Sequence, residues 1–88
     1  MADHIKEGDG FADITLAKPS KINGETVSAL RMREPTVADQ KAAMTGANDA
    51  DREISLFANL CECAPSDIEA MTMRNYGRLQ AAYRLFTD

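Results

Sequence analysis

Apolar and polar residues alternate over residues 13–33, as they do in β-strands that bury one face. Ile14 and Leu16 fall on one side of the first alternating segment, and a second such segment covers residues 25–33. Between the two segments stands Asn23-Gly24, a dipeptide typical of two-residue turns that need positive φ at both positions. The pattern therefore predicts an antiparallel β-hairpin.

The register of this hairpin cannot be regular along its whole length. Uninterrupted pairing across the turn would place Arg31 opposite Leu16, on the side that carries the apolar residues. A β-bulge that adds one residue would move Leu30 to that side instead. We expect the bulge either near Ser28-Ala29 or at Pro19, which has no N–H to donate to a neighbouring strand.

After residue 33 the apolar period lengthens to that of a helix. Capping residues and helix breakers divide this part of the chain into four segments, which are 36–46, 48–63, 65–71 and 73–86. The first is only weakly amphipathic, with Val37, Lys41 and Met44 on one face. The sequence predicts an α+β fold, in which an N-terminal bulged β-hairpin is followed by three to four α-helices in one small domain.

The second helix carries an unusually broad apolar surface. Its apolar residues cover an arc of roughly 200°, whereas a surface helix normally needs about 100°. We expect this helix either to lie in the core of the monomer or to present one flank, with Leu60 near its edge, to another chain. Together with the aromatic stripe of the last helix it provides the candidate partner-binding side chains, which are Leu56, Phe57, Leu60, Tyr76, Leu79 and Phe86.

The length of 88 residues allows one small domain with a thin core. Residues 1–12 are polar and are interrupted by Gly8 and Gly10, so we expect a flexible N-terminal lead-in. The single domain is expected over residues 13–88. Because a small core gains stability from a second copy, we also expect a homo-oligomer.

The charge and composition narrow the range of partners. Fourteen acidic and ten basic residues give a net charge of −4, which disfavours nucleic-acid binding because such binding neutralises phosphates with Lys and Arg. No apolar run approaches the roughly 18 residues of a membrane helix, so we expect no membrane contact. Cys61 and Cys63 are two apart and cannot bridge each other on a helix, which fits free thiols in a reducing cytoplasm.

No catalytic constellation is visible in the sequence. The single histidine, His4, is far along the chain from Cys61 and from the serines. Asp49, Asp51 and Glu53 are typical of a helix N-terminus and lack the glycine and closing glutamate of a calcium loop. We expect no catalytic residue, no cofactor and no metal, and hence no enzyme.

Short segments spread over residues 13–86 carry a family resemblance. They are 14–19 (ITLAKP), 22–27 (INGETV), 30–36 (LRMREPT), 56–61 (LFANLC), 65–68 (PSDI) and 73–80 (MRNYGRLQ). In this order they resemble the small E-type tail assembly chaperones of contractile-tailed, Mu-like phages and prophages. Arg33, Glu34 and Pro35 match the junction between strand and helix in that family.

The resemblance implies a non-enzymatic chaperone that binds helical segments of the phage tape-measure protein. It would keep that protein soluble and competent for tail-tube assembly in the cytoplasm of the bacterial host, and it would be absent from the mature virion. Such families commonly make a longer form by programmed ribosomal frameshifting, and we expect this chain to be the short form and the longer form to be a partner.

Two other functions stay open on the sequence alone. One is a small nucleic-acid-binding regulator that uses the basic residues of the hairpin, which are Lys18, Lys21, Arg31 and Arg33. The other is a structural tail or connector protein. Binding to duplex DNA that weakens steeply with salt would favour the regulator, and presence in purified virions would favour the structural protein.

Overall fold

A computed structural model describes residues 3–87 and shows an antiparallel sheet followed by four helices. The strands lie in the order β1-β2-β3. The elements are β1 (Ile5–Gly8), β2 (Phe11–Ile22), β3 (Glu25–Arg33), α1 (Val37–Ala43), α2 (Asp49–Leu60), α3 (Pro65–Ala70) and α4 (Met73–Phe86). The α+β fold expected from the sequence, a bulged hairpin followed by helices, is confirmed.

Strands β2 and β3 form the expected hairpin around a tight turn. Asn23 and Gly24 have φ values of 52° and 82°, the positive values that their dipeptide predicted. Next to the turn Ile22 pairs with Glu25, and farther along Ile14 pairs with Leu30. Leu30 therefore joins the apolar side of the sheet.

The register shift lies between Thr15 and Ser20 of β2, where residues 16–19 face a single residue of β3, Ser28. The extra residues lie in β2, in the segment that contains Pro19, and they face Ser28 of β3, so the two places proposed for the irregularity lie opposite each other. The shift is larger than the one residue we expected. Since most of this β2 segment has no β3 partner, its backbone groups need partners from elsewhere.

Asn75 of α4 supplies those partners. The N–H groups of Ala17 and Lys18 donate to Asn75 Oδ1 at 2.7 and 3.1 Å, and Asn75 Nδ2 donates to the Lys18 carbonyl at 2.8 Å. Arg78, one turn later, donates from Nη1 to the Thr15 carbonyl at 2.8 Å. Asn75 is 1% exposed and is the one buried polar residue in the described part of the chain. The bulge is thereby tied to α4.

The lead-in expected over residues 1–12 is partly a strand, so that expectation is corrected. β1 pairs with β2 from Ile5 opposite Ile14 to Gly8 opposite Phe11. The turn is Asp9-Gly10, in which Gly10 has a φ of 83°. Pairing satisfies the otherwise open edge of β2, and Ile5 packs against the core. Met1, Ala2 and Asp88, which the predicted lead-in and domain include, lie outside the described residues.

The helices cover one face of the sheet, and Phe57 of α2 lies at the centre of the core. Its ring centroid is 5.6 Å from that of Tyr76 and 5.4 Å from that of Tyr83, both on α4. On the sheet side the core consists of Ala12, Ile14, Leu16, Ile22, Leu30 and Met32. These residues confirm that the two alternating segments bury one face.

The capping residues begin the helices where the sequence places them. Thr36, Asn48 and Thr72 each accept a backbone N–H from the third residue that follows. α2 ends earlier than the predicted residue 63, because Glu62 adopts the left-handed φ of 57°. Cys61 is buried and Cys63 half-buried, both as free thiols. Burial raises the pKa of Cys61 to about 12 and that of Cys63 to about 11.

Candidate protein-interaction surface

The helix α1 turns an apolar face to solvent. Val37 is 87% exposed and Met44, which caps the helix C-terminus, is 54% exposed. They are seven residues apart and so lie two turns apart on one side of the helix. Within α1 only Ala43 is buried. The face that holds Val37 and Met44, with the exposed Lys41 between them, is therefore not used by the core.

Asp39 holds α1 in place between the end of β3 and the helix α2. Its carboxylate accepts from Arg33 Nη1 and Nη2 at 2.7 and 3.1 Å, and from the Thr36 N–H at 2.8 Å. Asn59 Nδ2 on α2 donates to the same carboxylate at 3.1 Å. The Arg33 guanidinium and the Thr36 N–H hold the pKa of Asp39 well below its usual range.

These contacts give the Arg33–Pro35 junction a structural role. Arg33 orients α1 through Asp39, and the Glu34 N–H donates to the Gly10 carbonyl at 3.0 Å. Pro35 stands between the end of β3 and the cap of α1, where it cannot extend the ladder. The junction thus fixes the direction in which α1 leaves the sheet.

An acid-dependent stability is expected from the Arg33–Asp39 pair. Because the folded state lowers the pKa of Asp39, the pair stabilises the fold at neutral pH, and this stabilisation is lost as the pH falls below about 3.9. Asp39→Asn should therefore lower the urea midpoint at about pH 6, and its deficit relative to wild type should shrink towards pH 3. A deficit that stays constant with pH would contradict this role for the charge.

A cleft of about 320 Å³ opens between α1, α2 and α4, beside the apolar face of α1. Its apolar lining is Ala43, Met44, Leu56 and Tyr83, and its polar lining is Gln40, Asp49, Arg52 and Glu53. The link between α1 and α2 is tight: a Cβ at Gly46 would lie 2.9 Å from the Arg52 backbone nitrogen. We call this cleft, with Val37 beside it on α1, the α1 surface.

Glu53 is a charged residue of this cleft, and only one of its two carboxylate oxygens accepts hydrogen bonds from residues 3–87. It is half-buried, and its Oε1 accepts from the Tyr76 hydroxyl and, at 2.9 Å, from Gln80 Nε2. Burial and the neighbouring Glu53 raise the pKa of Tyr76, so its hydroxyl keeps the proton that it donates. Within residues 3–87 Glu53 Oε2 accepts no hydrogen bond, and it reaches solvent.

Most of the partner-binding candidates lie in the core. Leu56, Phe57, Leu60 and Leu79 are buried, and Leu60 is only 1% exposed. The structure thus favours the other interpretation of the broad arc on α2, in which the sheet and α4 use it. Tyr76 and Phe86 are half-buried, and of the four buried residues Leu56 alone lines the cleft.

Apart from Leu56, no residue of the α1 surface was among the candidates. The others are Val37, Gln40, Ala43, Met44, Asp49, Arg52, Glu53 and Tyr83. A weak signal for them exists in the sequence, since a short helix with few apolar residues has little to bury. An exposed Met44 follows from that weakness, whereas the position of Glu53 depends on how α2 and α4 pack.

Two of the four basic residues of the hairpin, Arg31 and Arg33, are paired with carboxylates. Arg31 donates from Nε and Nη2 to Asp13 at 2.8 and 3.1 Å and stacks over the Phe11 ring at 3.9 Å. Arg33 is bound to Asp39. These pairs reduce the positive charge that phosphates could meet on the hairpin.

Residues 3–87 hold no group of three or more potential metal ligands, and no helix there is long and apolar enough to cross a membrane. A family model described as "Phage tail assembly chaperone proteins, E, or 41 or 14" matches residues 13–88. No curated protein and no solved structure matches the chain.

Proposed function

We propose a function from one premise: the chain belongs to the phage tail assembly chaperone family. Membership supports a role in tail assembly, and the family is not a known enzyme class. Within that role, we propose that the chain is a non-enzymatic chaperone that binds helical segments of the tape-measure protein. By covering their apolar faces it keeps that protein soluble and competent for tail-tube assembly.

The observation that carries this proposal is the exposed apolar face of α1 beside an open cleft. An amphipathic helix binds a groove through apolar side chains spaced by three, four or seven residues. Val37 and Met44 are about 10 Å apart along the helix axis, which matches two turns of such a helix. Methionine adapts its shape to different partners, a useful property where a long client offers many similar segments.

Co-expression tests the proposal. The chain would be produced with the tape-measure protein encoded beside it, and the soluble share of that protein would be measured after pelleting. We expect a marked rise in the soluble share and co-purification of the two proteins. Equal insolubility with and without this chain would contradict a chaperone role.

A matched pair of methionine variants tests the surface. Met44→Gln removes apolar contact at the cleft, and the loss of about 1 kcal/mol corresponds to about fivefold weaker binding of the tape-measure protein. Met73→Gln makes the same change at a residue that is 81% exposed and begins α4, and it should bind like wild type. Affinities measured with purified variants would count against the α1 surface if the two substitutions had equal effects.

The setting of this function is part of the proposal. We propose that the chain acts in the cytoplasm of the bacterial host and leaves before the virion is complete. A homo-oligomer and a frameshifted longer form remain predicted partners. Mass spectrometry of purified virions tests the first point, and sedimentation over a range of concentrations tests self-association.

A further inference from the structure

We infer that the cleft of the α1 surface recognises a cationic side chain, lysine or arginine, set within the apolar stripe of the client helix. The acceptor is Glu53 Oε2. This inference rests on the proposed function and adds the chemistry by which one helical segment is preferred to another.

The first argument is the position of the Glu53 carboxylate. Its Oε1 is held by Tyr76 from one turn of α4 and by Gln80 from the next, so the side chain is fixed before any client arrives. Its Oε2 accepts no hydrogen bond from residues 3–87 and reaches solvent, so it is open to a donor from another chain. A fixed carboxylate with one open oxygen is a good acceptor for a charged donor.

The second argument is the balance of charge around the cleft. Arg52 could have neutralised Glu53, but its Nε donates to the Gly46 carbonyl at 3.1 Å and its Nη1 to Asp49 at 3.4 Å. Arg52 therefore bonds to groups next to and at the start of α2 and not to Glu53. Glu53 remains as a negative charge in the cleft, and a positive side chain complements it.

The third argument is the apolar part of the cleft that Glu53 also lines. Met44, Leu56 and Tyr83 provide an apolar wall, and the cleft of about 320 Å³ has room for a long side chain. Lysine and arginine have an apolar stem and a charged head, so the stem would lie along this wall while the head reaches Glu53. A purely aliphatic side chain would contact this wall but would donate no hydrogen bond to Oε2.

Peptide binding with one matched pair of variants tests the inference. Labelled peptides of about 25 residues, each up to seven helical turns, would tile the tape-measure protein encoded beside this chain. Fluorescence anisotropy would give their affinities for the wild type, for Glu53→Gln and for Glu69→Gln. Glu53→Gln keeps an oxygen for Tyr76 and Gln80 but removes the charge, while Glu69→Gln removes an exposed charge on α3.

We expect Glu53→Gln to bind the best peptides about 10- to 100-fold more weakly, the range of a charge-assisted hydrogen bond, and Glu69→Gln to bind like wild type. Binding by the wild type should also weaken as salt rises from about 0.05 to about 0.5 M, more than binding by Glu53→Gln. In the reverse experiment, replacing the basic residue of the peptide by Gln should cost a similar factor with the wild-type chain, whose fold is unchanged.

The outcomes separate this inference from the function on which it rests. Peptide binding by the wild type with equal affinities for the two variants would overturn the role of Glu53 and leave the chaperone role intact. Tight binding of peptides that lack any basic residue would do the same. Failure of every peptide, and of the whole tape-measure protein, to bind the wild type would overturn both.

Discussion

Asn75→Ala is expected to destabilise the domain by about 3–5 kcal/mol. The substitution removes the acceptor for two backbone N–H groups, of Ala17 and Lys18, and the donor to the Lys18 carbonyl. A buried backbone group left without a partner costs about 1–3 kcal/mol, and β3 cannot replace the lost partners where the register shifts. The loss is a large part of the 5–15 kcal/mol that holds a typical domain together.

Urea unfolding followed by circular dichroism measures this effect. Asn59→Ala is the matched control, because Asn59 is exposed and makes one side-chain hydrogen bond, to Asp39. It should cost about 1 kcal/mol or less. Asn75→Asp should fall between the two, since it keeps the acceptor for the N–H groups and loses the donor to Lys18. Equal stabilities of Asn75→Ala and Asn59→Ala would show that water replaces the Asn75 side chain at the bulge.

Leu60→Asp is expected to unfold the domain. Leu60 is 1% exposed, and removing a buried leucine side chain costs about 2–5 kcal/mol even when alanine replaces it. Aspartate adds the cost of burying a carboxylate, because the two arginines that share a pocket with Leu60, Arg31 and Arg33, already bind Asp13 and Asp39. A total of at least about 5 kcal/mol approaches the whole stability of a small domain.

Circular dichroism and thermal unfolding of Leu60→Asp provide the measurement, with Val37→Asp as the control. Val37 is 87% exposed in the first turn of α1, where an acidic residue also favours the helix dipole. Its replacement should leave the melting temperature nearly unchanged. A folded Leu60→Asp chain that no longer bound its client would instead place Leu60 on the client surface, as the sequence pattern suggested.

Local signals were enough to predict the hairpin and the helix starts. Asn23-Gly24 sets its turn through the φ values of two residues, and Thr36 and Thr72 cap helices through contacts within three residues. Such features depend on neighbours in the chain, so a single sequence contains them. The dipeptide Asp9-Gly10 is a signal of the same kind for β1, but the segment around it is too polar and too short for its pattern to predict a strand.

Features that depend on distant parts of the chain were not predicted. The size of the shift in β2 depends on Asn75, 57 residues after Lys18, which accepts and donates in place of β3. The broad apolar surface of α2 packs against the sheet on one side and against Tyr76 and Tyr83 of α4 on the other. Periodicity measures how much apolar surface a helix has, but it does not show whether the same chain or another covers it.

The α1 surface likewise combines features that local sequence predicts with features that depend on distant parts of the chain. Val37 and Met44 are visible in the sequence as two apolar residues on one face of α1, but their exposure depends on how the rest of the chain fills the core. In the sequence, Glu53 is one of several acidic residues near the start of a helix. Its open oxygen arises from Tyr76 and Gln80, which approach it from α4.

Site-specific photocrosslinking, in cells that make this chain together with the tape-measure protein, tests the central claim most directly. A photoreactive amino acid would replace Met44 in one variant and Met73 in another, two exposed methionines of which only Met44 lines the cleft. Met73 begins α4, about 15 Å along that helix from Tyr83. We expect a covalent adduct with the tape-measure protein from position 44 and none above background from position 73. Equal yields from the two positions, or an adduct from position 73 alone, would contradict binding at the α1 surface.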